Sequence, residues 1–233
     1  MTILAIDATG LAASAALVTE RKTIAEFTLN YEMTHSQTLM PLVEKMTAML
    51  SFDLGTVDAI ACASGPGSFT GLRIGAATAK GLAYALGKKI AAVPTLDAMA
   101  YNILDGSAVI APIMDARRNQ VYAALYQWDN GALVRLTAHM AEDISVVLDM
   151  ARPYERVVFL GDGVPVHEQL IRAESGFSVV PPHLNAQRAA AVGAYALSMP
   201  PEARLTADEF ELSYLRLSQA EREAKERGQN LAN

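Results

Sequence analysis

The chain has 233 residues, room for one large domain or two small ones, and its 52% hydrophobic against 19% charged content is that of a globular protein with ample core. A formal net charge of −6 excludes a surface given over to nucleic acid, although a local basic patch stays open. The single cysteine, Cys62, lies in an apolar run and reads as a buried core thiol, so no internal disulfide forms. No apolar stretch reaches the roughly 18–20 residues of a membrane helix, and the start of the chain lacks the pattern of a signal peptide, so a cytoplasmic protein is expected.

Residues 3–7 read as a buried strand ending in the carboxylate of Asp7. Strands follow over 14–19 and 23–29, joined by the polar turn Glu20-Arg21-Lys22. A helix is predicted over 34–50, capped by Thr34 or Ser36, with Pro41 in its early turns and Leu39, Val43, Met46 and Leu50 on one face. After a turn at Gly55 comes an apolar strand over 57–63, and then the most informative stretch, Ser64-Gly65-Pro66-Gly67-Ser68-Phe69-Thr70-Gly71-Leu72-Arg73-Ile74-Gly75. It opens a helix over 68–86. Glycine inside a helix costs about 1 kcal/mol against alanine, so Gly71 and Gly75 imply a close backbone approach, either by a phosphate or by another helix. Gly71, Gly75, Ala79 and Ala83 recur every four residues as a shallow stripe flanked by Phe69, Leu72 and Leu86. A strand over 90–93 and a short helix over 95–104, capped by Thr95, complete this half.

The order then partly recurs. Strands are predicted over 109–114, 120–127 and 133–138, a helix over 141–150, a strand over 157–160, a helix over 164–173, a short strand near 178–180 and an alanine-rich helix over 186–198. Two copies of a hairpin followed by strand–helix alternation point to two α/β lobes, residues 1–105 and 106–217, followed by a charged, flexible tail over 218–233.

Several clusters could carry chemistry. Asp7-Ala8-Thr9-Gly10 is either a metal–phosphate loop or a turn held by its own Asp side chain. Gly65-Pro66-Gly67 could offer amides to an anion, but it is neither a P-loop nor a G-x-G-x-x-G fingerprint. Asp115, Arg117 and Arg118 follow a strand, either as a phosphate clamp or as a solvated Asp–Arg pair. The histidines at 35, 139, 167 and 183 lack zinc-site spacing. Tyr122, Tyr126 and Trp128 alternate and are expected to pack rather than stack on bases.

The Ile6-Asp7-Ala8-Thr9 opening, the segment Thr34-His35-Ser36-Gln37-Thr38-Leu39-Met40-Pro41, the Gly65–Gly75 block, Met114-Asp115-Ala116-Arg117 and Ser213-Tyr214-Leu215-Arg216 together resemble the TsaB (YeaZ) family of bacterial tRNA threonylcarbamoyladenosine proteins. The resemblance implies a two-lobe α/β fold of the actin-like, Hsp70-like and sugar-kinase-like ATPase kind, each lobe a mixed sheet with helices. It also implies a catalytic paralogue, TsaD, as partner, a further ATPase partner, TsaE, and a non-catalytic, activating role in transferring a threonylcarbamoyl group to the adenosine beside the anticodon. TsaD-like paralogues carry a His-x-Glu-Gly-His metal motif where this chain has Thr95-Leu96-Asp97-Ala98-Met99, and a Ser-Gly-Gly-His loop where it has Asp115, Arg117 and Arg118. The adenosine-side glycine loop is partly kept at Gly161 and Gly163. Asp7, Thr9, Asp115, Arg117, Arg118, Gly161 and Gly163 are therefore expected to form degenerate nucleotide loops, with no cofactor and no metal. His35, Leu39, Val43, Met46, Phe69, Gly71, Leu72, Gly75 and Ala79 are expected to form a face for the paralogue or, in its absence, a homodimer, with tRNA bound through the complex. The alternative is an active enzyme, metallopeptidase-like or an ATP-dependent phosphotransferase.

Overall fold

The computed structural model of the chain describes residues 1–31 and 34–216; the tail expected from residue 218 lies outside them. Strands β1 (Thr2–Asp7), β2 (Ala13–Thr19) and β3 (Thr23–Leu29) lead into helix α1 (His35–Leu50). Strand β4 (Ala59–Gly65), helix α2 (Phe69–Leu86), strand β5 (Lys89–Pro94) and helix α3 (Thr95–Tyr101) follow. The second half contains β6 (Val109–Asp115), β7 (Gln120–Ala123), β8 (Tyr126–Asp129), β9 (Ala132–Arg135), β10 (Met140–Asp143), α4 (Ile144–Ala151), β11 (Val157–Leu160), α5 (Val164–Ala173), β12 (Phe177–Val179) and α6 (Ala189–Ser198).

The first sheet runs β3-β2-β1-β4-β5 and the second β10-β7-β6-β11-β12, with the β8–β9 hairpin attached to β6. In both sheets the third listed strand comes first in the chain, its hairpin partner is antiparallel, and the last two strands are parallel to it. The repeat expected from element order is thus a repeat of topology. Strands β1 and β4 are central and apolar almost throughout because helices cover both faces of the sheet.

Helices α1 and α2 cover one face of the first sheet. Leu39, Val43, Met46, Ala79 and Ala83 meet Leu4, Ile6, Ile60 and Cys62 there. Helix α6 covers the other face, where Val192 and Ala196 pack on Ile3, Ala5 and Val18. Helices α4 and α5 cover the outer face of the second sheet. Helix α3 lies between the sheets: Ala98 joins the first lobe's inner core, while Leu96, Met99 and Ala100 join Ile110, Met114 and Tyr126 of the second. The expected division at 105/106 assigns α6 to the second lobe, yet its packing is on the first sheet. The chain also returns at Leu205, which bridges Ile90, and at Phe210, buried beside α2.

Three local differences from the sequence reading have clear causes. The helix expected over 141–150 begins at Ile144, because Asp143 caps it by accepting from Ser145 N at 2.9 Å, and residues 140–143 pair with β7 instead. The strand expected over 120–127 breaks at Ala124–Leu125, so Tyr126 and Trp128 pair with β9. Helix α6 begins at Ala189 rather than 186. There Ser14 Oγ accepts from Ala189 N at 3.0 Å and Glu26 Oε1 from Ala190 N at 2.9 Å, satisfying amides that a helix start leaves open.

Candidate functional site

A cleft of about 1020 Å³ opens between the lobes. Its first-lobe wall comprises the β1–β2 turn at Thr9–Leu11, Tyr31, His35 at the start of α1, and residues 66–72. Its second-lobe wall comprises residues 114–117, Tyr122, Asp162 and the start of α5 at Pro165 and Val166, and residues 213–216 cross between them.

Asp7 does not face this space with free oxygens. It is buried, and its Oδ1 accepts from Thr9 N at 2.8 Å and Thr9 Oγ1 at 2.7 Å, so the carboxylate closes its own turn. Burial pushes its pKa up to about 6, against the lowering effect of the Thr9 hydrogen bonds and His35. His35 Nε2 lies 2.9 Å from Gly10 O, fixing α1 to this turn.

The glycines beyond β4 answer the question their sequence posed. A Cβ on Gly71 would lie 1.9 Å from Ala8 O, and one on Gly67 would lie 2.6 Å from Thr9 O. The object that comes close is therefore the chain's own β1–β2 turn. At Gly65, φ is +118°, and a Cβ would meet Ser213 O at 2.2 Å. Gly75 is different: its nearest neighbours, Ala8 Cβ and Cys62 Sγ, are both at 3.8 Å. The residues expected at a subunit contact are accordingly corrected. Leu39, Val43, Met46, Gly71, Leu72, Gly75 and Ala79 are buried inside the first lobe, because the small-residue stripe brings α2 down onto β1 and β4. His35 and Phe69 remain half-buried at the cleft wall.

Across the cleft, Asp115 Oδ1 accepts from Arg117 N at 2.8 Å, and Arg117 Nη1 lies 3.5 Å from Oδ2. Arg117, Arg118 and Asn119 all have positive φ, at 66°, 55° and 62°. This left-handed turn is closed by Ala116 N to Gln120 O at 2.9 Å and Gln120 N to Arg117 O at 3.1 Å. Both arginine side chains point outward and are exposed. Behind the turn, Asp162 accepts from Asp115 N at 3.1 Å and from Gln187 Nε2 at 3.2 Å, and burial raises its pKa despite these bonds. Gly161 has φ of +114° and packs on Ile113 O; Gly163 N donates to the same oxygen at 3.1 Å. The structure thus brings Thr9, Asp115, Arg117 and Asp162 around one cleft, with Asp7, Gly161 and Gly163 supporting its walls and Arg118 beside it.

Sequence reasoning missed the residues that tie the lobes together. Ser213 N donates to Ser64 O at 2.8 Å, the Tyr214 ring lies 5.1 Å from Phe69, and Arg216 donates to Ala116 O on the far wall. Their only signal was the family-like Ser213–Arg216 segment. A second knot surrounds Asp97. The hydroxyls of Tyr126 and Tyr195 donate to it at 2.6 and 2.8 Å, His139 Nε2 lies 2.7 Å away, and Arg135 Nη1 lies at 3.6 Å. Burial alone would raise Asp97; the bonds from His139, Tyr126 and Tyr195 outweigh it and hold the carboxyl below its ordinary range. Thr95 and Met99 are buried in core around it.

The family model for tRNA N6-adenosine threonylcarbamoyltransferase (TsaD) matches residues 22–203. The chain is 38% identical over 172 residues to the tRNA threonylcarbamoyladenosine biosynthesis protein TsaB of Bacillus subtilis, covering 73% of this chain and 75% of that one. It is 36% identical over 135 residues to the Escherichia coli protein of the same name, spanning 57% of this chain and 58% of that one. A crystal structure of a Pseudomonas aeruginosa protein described as similar to peptidase YEAZ superposes with a TM-score of 0.79 at 26% identity, covering 92% and 99% of the two chains.

Proposed function

This chain belongs to the TsaB (YeaZ) family, with the two-lobe actin-like fold, and from that premise we propose that it is the activating, non-catalytic subunit of the assembly that places a threonylcarbamoyl group on the adenosine beside the anticodon of tRNAs reading codons that begin with A. Its partner in this reading is a catalytic TsaD-like paralogue, with a TsaE-like ATPase as a further component, and the chain pairs with itself when the paralogue is absent.

One observation carries the non-catalytic part. The turn where an ATPase of this fold needs open glycine amides for phosphate is instead filled by Asp115, Arg117 and Arg118, and the N–H groups of Ala116, Arg117 and Gln120 are spent on Gln120 O, Asp115 and Arg117 O. A phosphate entering there meets the Asp115 carboxylate, and three of the turn's amides are already taken. The 95–99 segment supports the same reading. Thr95 and Met99 are committed to packing, and Asp97 to its tyrosines and histidine.

Because the inward stripe is core, the binding face moves to the outward sides of α1 and α2. Met40 and Met49 on α1 and Ala77, Gly81 and Tyr84 on α2 are exposed there, with Tyr84 86% exposed and Gly81 open to solvent. Small residues beside adaptable methionines suit a close helix-on-helix contact. Reconstitution tests the proposal: unmodified tRNA, the paralogue and the ATPase component are assayed with and without this chain, and modified nucleoside is measured. Product is expected only when both paralogues are present. Equal product without this chain, or product from this chain without the paralogue, overturns the reading.

A further inference from the structure

We propose that the mouth of the interlobe cleft is a contact site for the phosphate backbone of unpaired RNA, built from Arg73, Arg117 and Arg118 around the Phe69–Tyr214 aromatic pair. This deepens the proposed function and rests on it.

The charge distribution comes first. The chain carries a net charge of −6, and Arg135, Arg152, Arg156, Arg172 and Arg188 are each spent on a carboxylate. Arg73 and Arg118 meet none among the described residues, and the side chain of Arg117 is 84% exposed despite its pair with Asp115. Arg117 lines the cleft mouth with Arg118 next to it in the turn, and Arg73 packs on the ring of Phe69, which lines the same mouth.

The packing then supplies the aromatic part. The Arg73 guanidinium lies 3.9 Å above the Phe69 ring centroid, its Nε lies 3.4 Å from the Tyr214 hydroxyl, and the two rings are 5.1 Å apart. Two residues after Tyr214, Arg216 reaches Ala116 O, the residue before Arg117, so the 214–216 segment connects the aromatic pair to the arginine turn. Tyr31, 73% exposed, and Leu11, 65% exposed, line the same mouth. Guanidinium groups match phosphate oxygens in forked geometry, and exposed rings accept unstacked bases. A paired helix would offer no free base faces, which favours a loop over a duplex.

The floor of the cleft separates a strand lying across the rim from a nucleotide seated deep inside. Asp115 and Asp162 line the inner part of the cleft, so a triphosphate pushed inward meets carboxylates. A strand crossing the mouth meets the exposed arginine side chains, with Asp115 held against Arg117 on their inner side.

The test uses the complex of the full chain with its catalytic paralogue and an unmodified transcript of a tRNA reading a codon that begins with A. Filter binding is measured between about 50 and 300 mM KCl for the wild type, for Arg73→Ala/Arg117→Ala/Arg118→Ala and for the matching triple lysine variant. The alanine variant should bind about tenfold more weakly at low salt and flatten the salt slope by about two. The lysine variant should keep most of the slope, and both should co-purify with the paralogue as the wild type does. Unchanged RNA affinity and slope, with the paralogue still bound, overturns this inference and leaves the proposed function standing. Loss of the paralogue with RNA affinity unchanged assigns the rim to a protein partner, and micromolar ATP binding lost in the alanine variant assigns it to a nucleotide; either result overturns it. A wild-type complex that does not form removes the proposed function and this inference together.

Discussion

Gly71 and Gly75 sit one turn apart on α2, yet their surroundings predict opposite responses to alanine. At Gly71 the new Cβ would fall 1.9 Å from Ala8 O, a backbone atom with no room to retreat, so Gly71→Ala should cost about 3 kcal/mol. At Gly75 the neighbours stand at ordinary contact distance, so Gly75→Ala should stabilise by roughly 0.5–1 kcal/mol through helix propensity and a less free unfolded chain. Urea unfolding of both variants decides this. Gly75→Arg, by the same packing, puts a charge into the core and should unfold the lobe. Asp7 gives a pH prediction at this scale. Its folded pKa of about 6 lies above its unfolded value near 4, so the folded state holds the proton more tightly. Its contribution is full below about pH 4 and is lost as pH rises through about 6. Asp7→Asn keeps an acceptor for Thr9 without the buried charge. It should raise stability at pH 7 by on the order of 2 kcal/mol, leave pH 4 unchanged and flatten the slope between them. A variant with the wild-type slope would show that another group, such as Asp162, sets it.

At the scale of elements, α1 was legible because its apolar residues recur at helical spacing, and α2 because Gly71, Gly75, Ala79 and Ala83 recur every four residues; the structure ends α2 at Ser68 and Gly87. Ser68 Oγ accepts from Gly71 N at 3.3 Å, and Gly87 takes φ of +65°. Which face each helix buries was not legible. Helix α2 carries small residues on two sides, 71-75-79-83 and 77-81-85, and sequence spacing alone does not say which one meets the sheet. On the proposed partner face, Ala77→Arg or Gly81→Arg adds bulk to the outer side only. Thermal unfolding should match the wild type within a few degrees, while co-purification with the paralogue and the homodimer in size-exclusion chromatography should both be lost. A variant that melts normally and keeps both partners would place the interface elsewhere. The strand at 140–143 escaped because Met140 and Ala141 suit a helix as well as a sheet edge. The cap at Asp143 and pairing with β7 decided between them.

Across the whole molecule, α3 and α6 join the lobes, and Asp97 is where they meet the β8–β9 hairpin. Its carboxylate takes hydroxyls from Tyr195 on α6 and Tyr126 on β8, with His139 and Arg135 beside it. Asp97→Ala leaves the buried Tyr126 hydroxyl, the half-buried Tyr195 hydroxyl and the Arg135 side chain without their acceptor. A cost of about 3–5 kcal/mol is expected, larger than for any exposed ion pair here. Because the folded pKa of Asp97 is held low, its contribution is present above about pH 4 and is lost as pH falls through the lowered value, opposite in direction to Asp7. Calorimetric unfolding at pH 7 checks the size. A loss below about 1 kcal/mol would mean that water replaces the carboxylate and that the lobes are held elsewhere.

The sequence by itself determined most of the element order, apart from the strand at 140–143 and the break at 124–125, together with the repeat of hairpin and alternation and the family-like segments, because each depends on neighbours within a few residues: periodicity, caps, glycine and charge. Only the tertiary structure decided that the glycine stripe meets the chain's own β1–β2 turn, that α6 crosses to the first sheet, and that Asp97, Tyr126, His139 and Tyr195 form one knot. These are contacts between residues as far as 175 positions apart, as in Ala189 N to Ser14 Oγ. Their partners are chosen by how two twisted sheets and the helices between them fill space, and no local pattern in the chain records that choice.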